Sequence, residues 1–133
     1  MKTKQVIVIR KDLNMRKGKM VAQGAHASMA ALLNKMNKVD SLDLSAVDKQ
    51  YIDLTPVLED WMNGSFTKIC VSVDSEDELI SIYKKAVESN LMCSLIEDSG
   101  RTEFNGVPTY TAVAVGPGEI EDIDLITGSL ALL

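Results

Sequence analysis

The sequence predicts one α/β domain over residues 1–133, built from a four-stranded mixed β-sheet with helices on both faces. Short apolar runs rich in β-branched residues, of which Val6–Ile9 is the first, are typical of strands buried on both faces. Segments with helical periodicity lie between these runs, so the predicted element order is β-α-α-β-α-β-β-α. A chain of 133 residues is long enough to bury a core without disulfides or metals.

The first strand, over residues 4–9, leads through a loop at 14–18 into a helix that we predict from about Lys17 to Leu33. One stripe of this helix is made of mostly small residues that fit close against a sheet: Met20, Gly24, Ala27 and Ala31. The adjacent stripe, at the edge of the packed face, carries Lys19, Gln23 and His26. The helix therefore places an ammonium in its first turn, with an amide and an imidazole on the same side.

Residues 34–54 show no periodicity and predict a solvated loop that holds at most a short helical turn. Thr55 followed by Pro56 predicts the start of a short helix, with threonine as the N-cap and proline in the first turn. We expect this helix to end near Asn63 and Gly64.

A second strand is predicted over Lys68–Val73 and a third over Leu91–Ile96. Between them, Ser75 and Glu78 form a capping-box signature in which the serine hydroxyl accepts the backbone N–H of Glu78. The helix that follows has one apolar face, formed by Leu79, Ile82, Tyr83, Ala86 and Val87.

The fourth strand, over Thr109–Val115, alternates strictly and therefore places Thr111 on the same face as Val113 and Val115. About a dozen residues join the third and fourth strands, which is enough for an antiparallel pairing. Gly116-Pro117-Gly118 predicts the end of this strand, and a short last helix follows over Glu119–Leu125.

The charge is distributed unevenly along the chain. The net charge is −5, yet residues 1–38 hold one acidic residue, Asp12, against nine basic ones: Lys2, Lys4, Arg10, Lys11, Arg16, Lys17, Lys19, Lys35 and Lys38. A basic region beside an acidic body attracts a phosphate chain locally and repels it elsewhere. Chance segregation of exposed charge is the alternative interpretation.

Three further features predict a cytoplasmic protein that does not enter a membrane. The residues Met1-Lys2-Thr3-Lys4 lead directly into a strand without a signal-peptide pattern, and no apolar run approaches the roughly 20 residues of a membrane span. Cys70 and Cys93 lie inside apolar runs, which predicts buried free thiols in a reducing compartment.

Two polar segments follow apolar strands, and they predict one site built from both. The first, Arg16–Ala27, holds Lys19 near the N-terminus of a helix. The helix dipole favours anions there, so a lysine needs a negative partner. The second, Glu97–Thr102, holds Asp98 and Thr102 on either side of Gly100. From these residues alone, Lys19 is a solvated lysine or the partner of Asp98 or a phosphate. Asp98 is likewise an Asx-type turn residue or a site residue.

Several kinds of chemistry are excluded by spacing. The residue after Lys19 is Met20 rather than Ser or Thr, which rules out a P-loop. His26 is the only histidine and has no matching Ser or Cys for a triad, so a hydrogen-bonded structural role is the alternative to a site role. No set of residues has zinc-ligand spacing, so we expect neither a metal nor a cofactor. Trp61 and Phe66 are expected to form core or cover rather than to stack on bases.

At this point the residues resemble a known family. The segments Arg10–Leu13, Gly18–Gln23 and Ala25–Ala27 resemble the first signature of the type-2 peptidyl-tRNA hydrolases, and Glu97–Thr102 resembles the second. Thr111–Pro117 and the tail from Ile123 to Leu130 are similar to the closing strand and C-terminal end of the family. Within the second signature, Ser99 replaces the usual alanine, and directly after it Glu103 stands where glutamine is common.

The resemblance implies hydrolysis of the ester between a peptide, or an N-blocked aminoacyl group, and the 3′ end of tRNA. It also implies a homodimer, which is frequent in this family. It implies four catalytic residues: Lys19, Asp98, Thr102 and Thr111. It also implies Gln23 and His26 as substrate-binding residues, to which the basic side chains of Arg16, Lys17 and Arg101 add phosphate contacts. The competing hypothesis is a non-catalytic RNA- or protein-binding module that retains the same fold.

Overall fold

The structure, a computed structural model, describes residues 2–38, 49–101 and 103–133. The strands are β1 Thr3–Arg10, β2 Asn37–Lys38, β3 Gln50–Tyr51, β4 Lys68–Val73, β5 Cys93–Asp98 and β6 Thr109–Glu119. The α-helices are α1 Lys17–Leu33, α2 Pro56–Asn63, α3 Glu76–Glu88 and α4 Ile120–Thr127. The predicted order of the main elements is confirmed, and the short pair β2–β3 is added between α1 and α2.

The main sheet has the strand order β4-β1-β6-β5. β1 runs parallel to β4, whereas β6 is antiparallel to both β1 and β5, so the predicted mixed sheet is confirmed. Because β1 is a central strand, its side chains are buried on both faces, and Val6, Val8 and Ile9 are each at most 1% exposed. The continuous apolar run at residues 6–9 predicted this position correctly.

Helices cover both faces of the sheet, as predicted. α1 packs on one face against a cluster that includes Ile7, Ile9, Met15, Ala112 and Ala114. α3 and α4 pack on the other face against the valines at positions 6, 8, 71, 73, 113 and 115. The small residues Gly24, Ala27 and Ala31 are buried where α1 meets the sheet, which allows a close approach of helix and strands.

The predicted helix starts are confirmed by their caps. The hydroxyl of Thr55 accepts the N–H of Leu58 at 3.2 Å, and that of Ser75 accepts the N–H of Glu78 at 3.1 Å. Trp61 is fully buried at the end of α2 and donates its indole N–H to the carbonyl of Thr67. Its ring centroid lies 4.5 Å from that of the exposed Phe66, which acts as a cover.

The predicted break at Gly116-Pro117-Gly118 is wrong, because β6 continues through it to Glu119. The register with β1 shifts between Lys4 and Val6, which places Gly116 and Pro117 opposite Gln5. The buried side-chain amide of Gln5 donates to the carbonyl of Gly116 at 3.2 Å. The shift leaves the prolyl nitrogen without a ladder partner to satisfy, and pairing resumes at Gly118.

The prediction of a buried thiol is wrong for Cys70, which is exposed, while Cys93 is half-buried; both are free. Cys70 lies on the edge strand β4, and its neighbour Val71 takes the buried face. β5 also begins and ends two residues later than predicted, so that Asp98 is the last residue of a strand and not part of the following loop.

Two pairings carry no signal in the sequence. β2 and β3 form a two-residue antiparallel ladder in the segment predicted as a loop, and residues 39–48 of that segment lie outside the described residues. The C-terminal residues add to the edge of β4, where Leu132 bridges to Val71 and the N–H of Leu133 donates to the carbonyl of Cys70. In the described part of the chain no helix is long and apolar enough to span a membrane.

Candidate active site

The two polar segments converge at one end of the sheet. The N-terminal turn of α1, the C-terminal end of β5 and the start of β6 meet there, because β5 and β6 are antiparallel neighbours and α1 crosses above them. The Lys19 Nζ lies 2.8 Å from the Asp98 Oδ1, although 79 positions separate the two residues in sequence. The prediction that this ammonium and this carboxylate share one site is therefore confirmed in its geometry.

The surroundings of Lys19 explain why it needs a carboxylate. The first turn of α1 contains no acidic residue, and Arg16 at the N-cap makes no side-chain cap. The positive end of the helix dipole therefore acts directly on the ammonium, which is 14% exposed. Asp98, whose side chain is 13% exposed, supplies the compensating charge within hydrogen-bond distance.

Asp98 forms the Asx-type turn and also contacts Lys19. Its Oδ2 accepts the backbone N–H of Gly100 at 2.9 Å, which is the Asx-type turn, while its Oδ1 binds Lys19. Gly100 is buried with φ +83°, and a Cβ there would lie 2.3 Å from the carbonyl oxygen of Val107. Only glycine fits at this position of the turn. The turn places the N–H of Gly100 so that it holds the carboxylate of Asp98.

These contacts lower the pKa of Asp98 below its ordinary value. The hydrogen bond from Lys19 is the largest cause, the N–H of Gly100 and the amide of Gln23 act in the same direction, and partial burial opposes them. The carboxylate is therefore ionised at neutral pH. It is a good hydrogen-bond acceptor but a weak base.

Behind Asp98 lies a buried pair of polar side chains, Gln23 and Thr111. Gln23 is 2% exposed and Thr111 is fully buried. The Thr111 hydroxyl donates to the Gln23 Oε1 at 2.5 Å, and the Gln23 Nε2 donates to the Asp98 Oδ1 at 3.3 Å. The amide is thus oriented by the hydroxyl and in turn orients the carboxylate.

Thr111 reaches Gln23 only because the strand pairing is irregular. Strict alternation placed Thr111 on the face of Val113 and Val115, and this prediction is wrong. Between β5 and β6 the register shifts at Ile96/Glu97, so that Thr111 is the extra residue of β6. The shift turns its side chain to the α1 face, where Ala112 also packs, because a bulge re-aims the residues beside it.

The other predicted residues surround this centre or lie outside it. Arg16, Lys17, His26 and Arg101 are exposed, and none of the contacts of the described residues ties them to Asp98. The Arg16 side chain is 92% exposed and approaches Glu103 at 4.0 Å. Thr102 lies outside the described residues.

Two residues at the site were not singled out from the sequence. Arg10 donates to the carbonyl of Tyr110 at 3.0 Å and pairs with Asp12, which ties the end of β1 to the start of β6. The ring of Phe104 has its centroid 5.8 Å from the Lys19 Nζ. The sequence indicated a site role for Arg10 only through its position in the first signature. No feature of the sequence indicated one for Phe104.

The fold and the site define a class: a small α/β protein in which an ammonium from the first turn of a helix meets an ionised carboxylate at the end of a strand, at a partly open surface. Such a pair can hold a water molecule at the carboxylate and stabilise negative charge that develops beside the ammonium. The arrangement suits hydrolysis of a polar bond in an anionic substrate.

Comparison with known proteins gives the family. Residues 3–133 match the family model described as "Peptidyl-tRNA hydrolase PTH2". A peptidyl-tRNA hydrolase of Methanocaldococcus jannaschii is 46% identical over 130 residues, which cover 98% of this chain and 99% of that protein. One from Sulfurisphaera tokodaii is 41% identical over the full length of both chains. The chain belongs to the peptidyl-tRNA hydrolase PTH2 family.

A solved structure shares the fold at low sequence similarity. A protein of unknown function from Agrobacterium tumefaciens superposes with a TM-score of 0.57 at 13% identity, covering 100% of this chain and 98% of that one. This likeness concerns the fold alone.

The pKa of Asp98 tests the electrostatics of the site. Lys19→Met removes the main cause of the lowered pKa, so the pKa of Asp98 rises, as followed by NMR titration of the carboxyl carbon. Because the pKa of Asp98 is lower in the folded than in the unfolded chain, its ionisation stabilises the fold at pH values above the unfolded pKa. This stabilisation is lost as the pH falls through the folded pKa. The variant therefore loses part of its stability at neutral pH. Lys17→Met, at an exposed position, is the control, and an unchanged pKa in Lys19→Met contradicts the account.

Proposed function

We propose that the site formed by Lys19 and Asp98 hydrolyses the ester that joins a peptide, or an N-blocked aminoacyl group, to the 3′ end of tRNA. Membership of the family makes the chain a peptidyl-tRNA hydrolase. The observation that carries the assignment of the site is the 2.8 Å contact between an ammonium and an ionised carboxylate at the strand ends.

Asp98 holds the attacking water by accepting one of its hydrogen bonds. The water oxygen adds to the ester carbonyl carbon, the bond to the ribose 3′ oxygen breaks, and the proton lost by water ends on that oxygen. Because the pKa of Asp98 is lowered, orientation of the water contributes more than full proton abstraction. Lys19 stabilises the oxyanion, or the terminal phosphate, through its charge.

We assign Gln23 and Thr111 as positioning residues. Both are buried behind Asp98, so they act on the reaction through the carboxylate and not by touching the ester. The positioning role replaces the roles implied by the resemblance, which were catalytic for Thr111 and substrate-binding for Gln23. Thr102 keeps its expected role, the positioning of water or of the ester carbonyl through its hydroxyl.

The tRNA is held by basic side chains near the start of α1. Arg16 and Lys17 are exposed there, and Arg101 is exposed beside Asp98. Lys4 is less suited to phosphate, because its ammonium lies 2.5 Å from Asp124 near the opposite end of β1. Phosphate contacts therefore come from part of the basic N-terminal third only.

A non-catalytic module with the same fold is the weaker hypothesis. A module that has lost turnover has no use for a carboxylate kept ionised by three donors or for a buried amide and hydroxyl behind it. Such buried polar groups stabilise a fold less well than apolar residues of the same shape.

We also propose that the chain is one domain over residues 1–133, acts in the cytoplasm and forms a homodimer. Support for a second copy comes from large apolar side chains that are exposed on one surface beside α1: Val21, Phe66 and Leu133. Patches of this kind mark association surfaces. Sedimentation of the purified chain tests the proposal: a dimer is expected, and Val21→Glu shifts it to monomer, whereas Ser81→Glu on α3 does not.

Asp98→Asn tests the central assignment. The amide keeps the shape of the side chain but loses the charge, so turnover of N-acetyl-aminoacyl-tRNA falls by about 10²- to 10⁴-fold. Asp77→Asn, at an exposed position of α3, retains the rate of the unaltered chain. Folding of both variants is checked by circular dichroism, and a folded Asp98→Asn enzyme with near-normal turnover overturns the assignment.

Thr111→Val tests the positioning role. Loss of the hydroxyl leaves the Gln23 oxygen without its donor. We therefore expect kcat to fall about tenfold, which corresponds to the net free energy of one hydrogen bond, while KM stays unchanged. Thr111→Ser retains the donor and restores kcat. A rise in KM without a change in kcat, or a failure of serine to rescue, contradicts the assignment.

A further inference from the structure

β5, the strand that ends at Asp98, is an edge of the main sheet. In the described ranges of the chain it pairs with β6 on one side only. The carbonyl of Met92 accepts the N–H of Gly116 on β6, whereas the next carbonyl, that of Cys93, accepts the side chain of Asn34. Since backbone groups alternate along a strand, Leu95 and Glu97 also turn their N–H and C=O groups away from β6.

A shallow groove of about 630 Å³ runs along this edge. Its lining is mainly apolar and comes from α1 and β5, including His26, Met29, Ala30, Leu33, Leu95 and Glu97. α1 runs antiparallel to β5, as two contacts show: Gln23 binds Asp98 at one end, and Asn34 binds Cys93 at the other. The groove therefore begins beside the active site and ends at Asn34.

The position of the groove points to its occupant. The substrate class carries a peptide whose last carbonyl is the scissile one, so the peptide must extend away from Asp98. The groove is continuous with the site, because Glu97 lines it and the next residue is Asp98. An open strand edge binds any extended peptide through main-chain hydrogen bonds, which suits a substrate whose sequence varies.

We propose that this groove binds the C-terminal residues of the peptide moiety of peptidyl-tRNA as an added strand, parallel to β5. This inference rests on the function proposed above and names the part of the substrate that the edge strand holds. The eight residues from His26 to Leu33 span about 10 Å along α1, seven rises of about 1.5 Å each. An extended peptide covers that distance in about three residues.

Peptide length tests the inference with the unaltered protein. The substrates are tRNAs that carry one, two, three or five N-acetylated residues. We expect kcat/KM to rise about tenfold from one to three residues, as a few net main-chain hydrogen bonds predict, and to stay level up to five. N-methylation of the peptide amides removes donors from the added strand, and we expect it to abolish the gain.

Ala30→Gln provides the matching test on the protein. The longer side chain occupies the groove and suits a helix, so we expect the gain with length to disappear while N-acetyl-aminoacyl-tRNA is hydrolysed at the normal rate. Ser81→Gln, at an exposed position of α3, keeps the gain. The test with N-methylated substrates needs no variant and stands if Ala30→Gln does not fold.

The outcomes separate the two proposals. A rate that does not depend on peptide length, with N-acetyl-aminoacyl-tRNA still hydrolysed, overturns the groove and leaves the proposed function intact. A gain that survives N-methylation also overturns it, since apolar contact alone then accounts for the preference. If no substrate is hydrolysed at all, the proposed function itself is wrong.

Discussion

The contact between the Lys19 ammonium and the Asp98 carboxylate is the constraint on which the site depends. It joins the first turn of α1 to the last residue of β5, two elements that the chain brings together from opposite halves. Each charge offsets an effect that disfavours its partner: the helix dipole disfavours the ammonium of Lys19, and partial burial disfavours the carboxylate of Asp98. Removing one partner leaves the other charge without compensation, which destabilises the fold, although by less than in a fully buried pair because both side chains remain partly exposed.

The packing of the domain keeps this contact in place. α1 lies close to the sheet because Gly24, Ala27 and Ala31 are small, and this brings Gln23 within reach of Asp98. The irregular pairing at Thr111 then adds a hydroxyl behind the amide. Asp98 is held from three directions, by an ammonium, an amide and a backbone N–H, which is the kind of preorganisation that electrostatic catalysis requires.

The same arrangement places the pair of Lys19 and Asp98, the site of the proposed function, at the end of an open strand edge. Asp98 is the last residue of β5, and alternate backbone groups of β5 face away from β6 along the groove beside α1. One strand thus supplies the carboxylate of the site and a surface for an extended chain, so binding and chemistry share a rigid element. The exposed Arg16 and Lys17 lie at the start of α1, on the other side of Lys19 from the residues of α1 that line the groove.

Local chemistry in the sequence determined the elements and their caps. The apolar run at residues 6–9 predicted the central strand, Thr55 and Ser75 predicted helix starts, and the linked motifs predicted the family. The tertiary structure decided what depends on pairing between distant segments. The register of β6 set the direction of Thr111 and carried the strand through Pro117, and the open face of β4 beside α1 left Cys70 exposed. Periodicity shows which faces a segment has, but only the neighbouring strand decides where that period shifts and which face is covered.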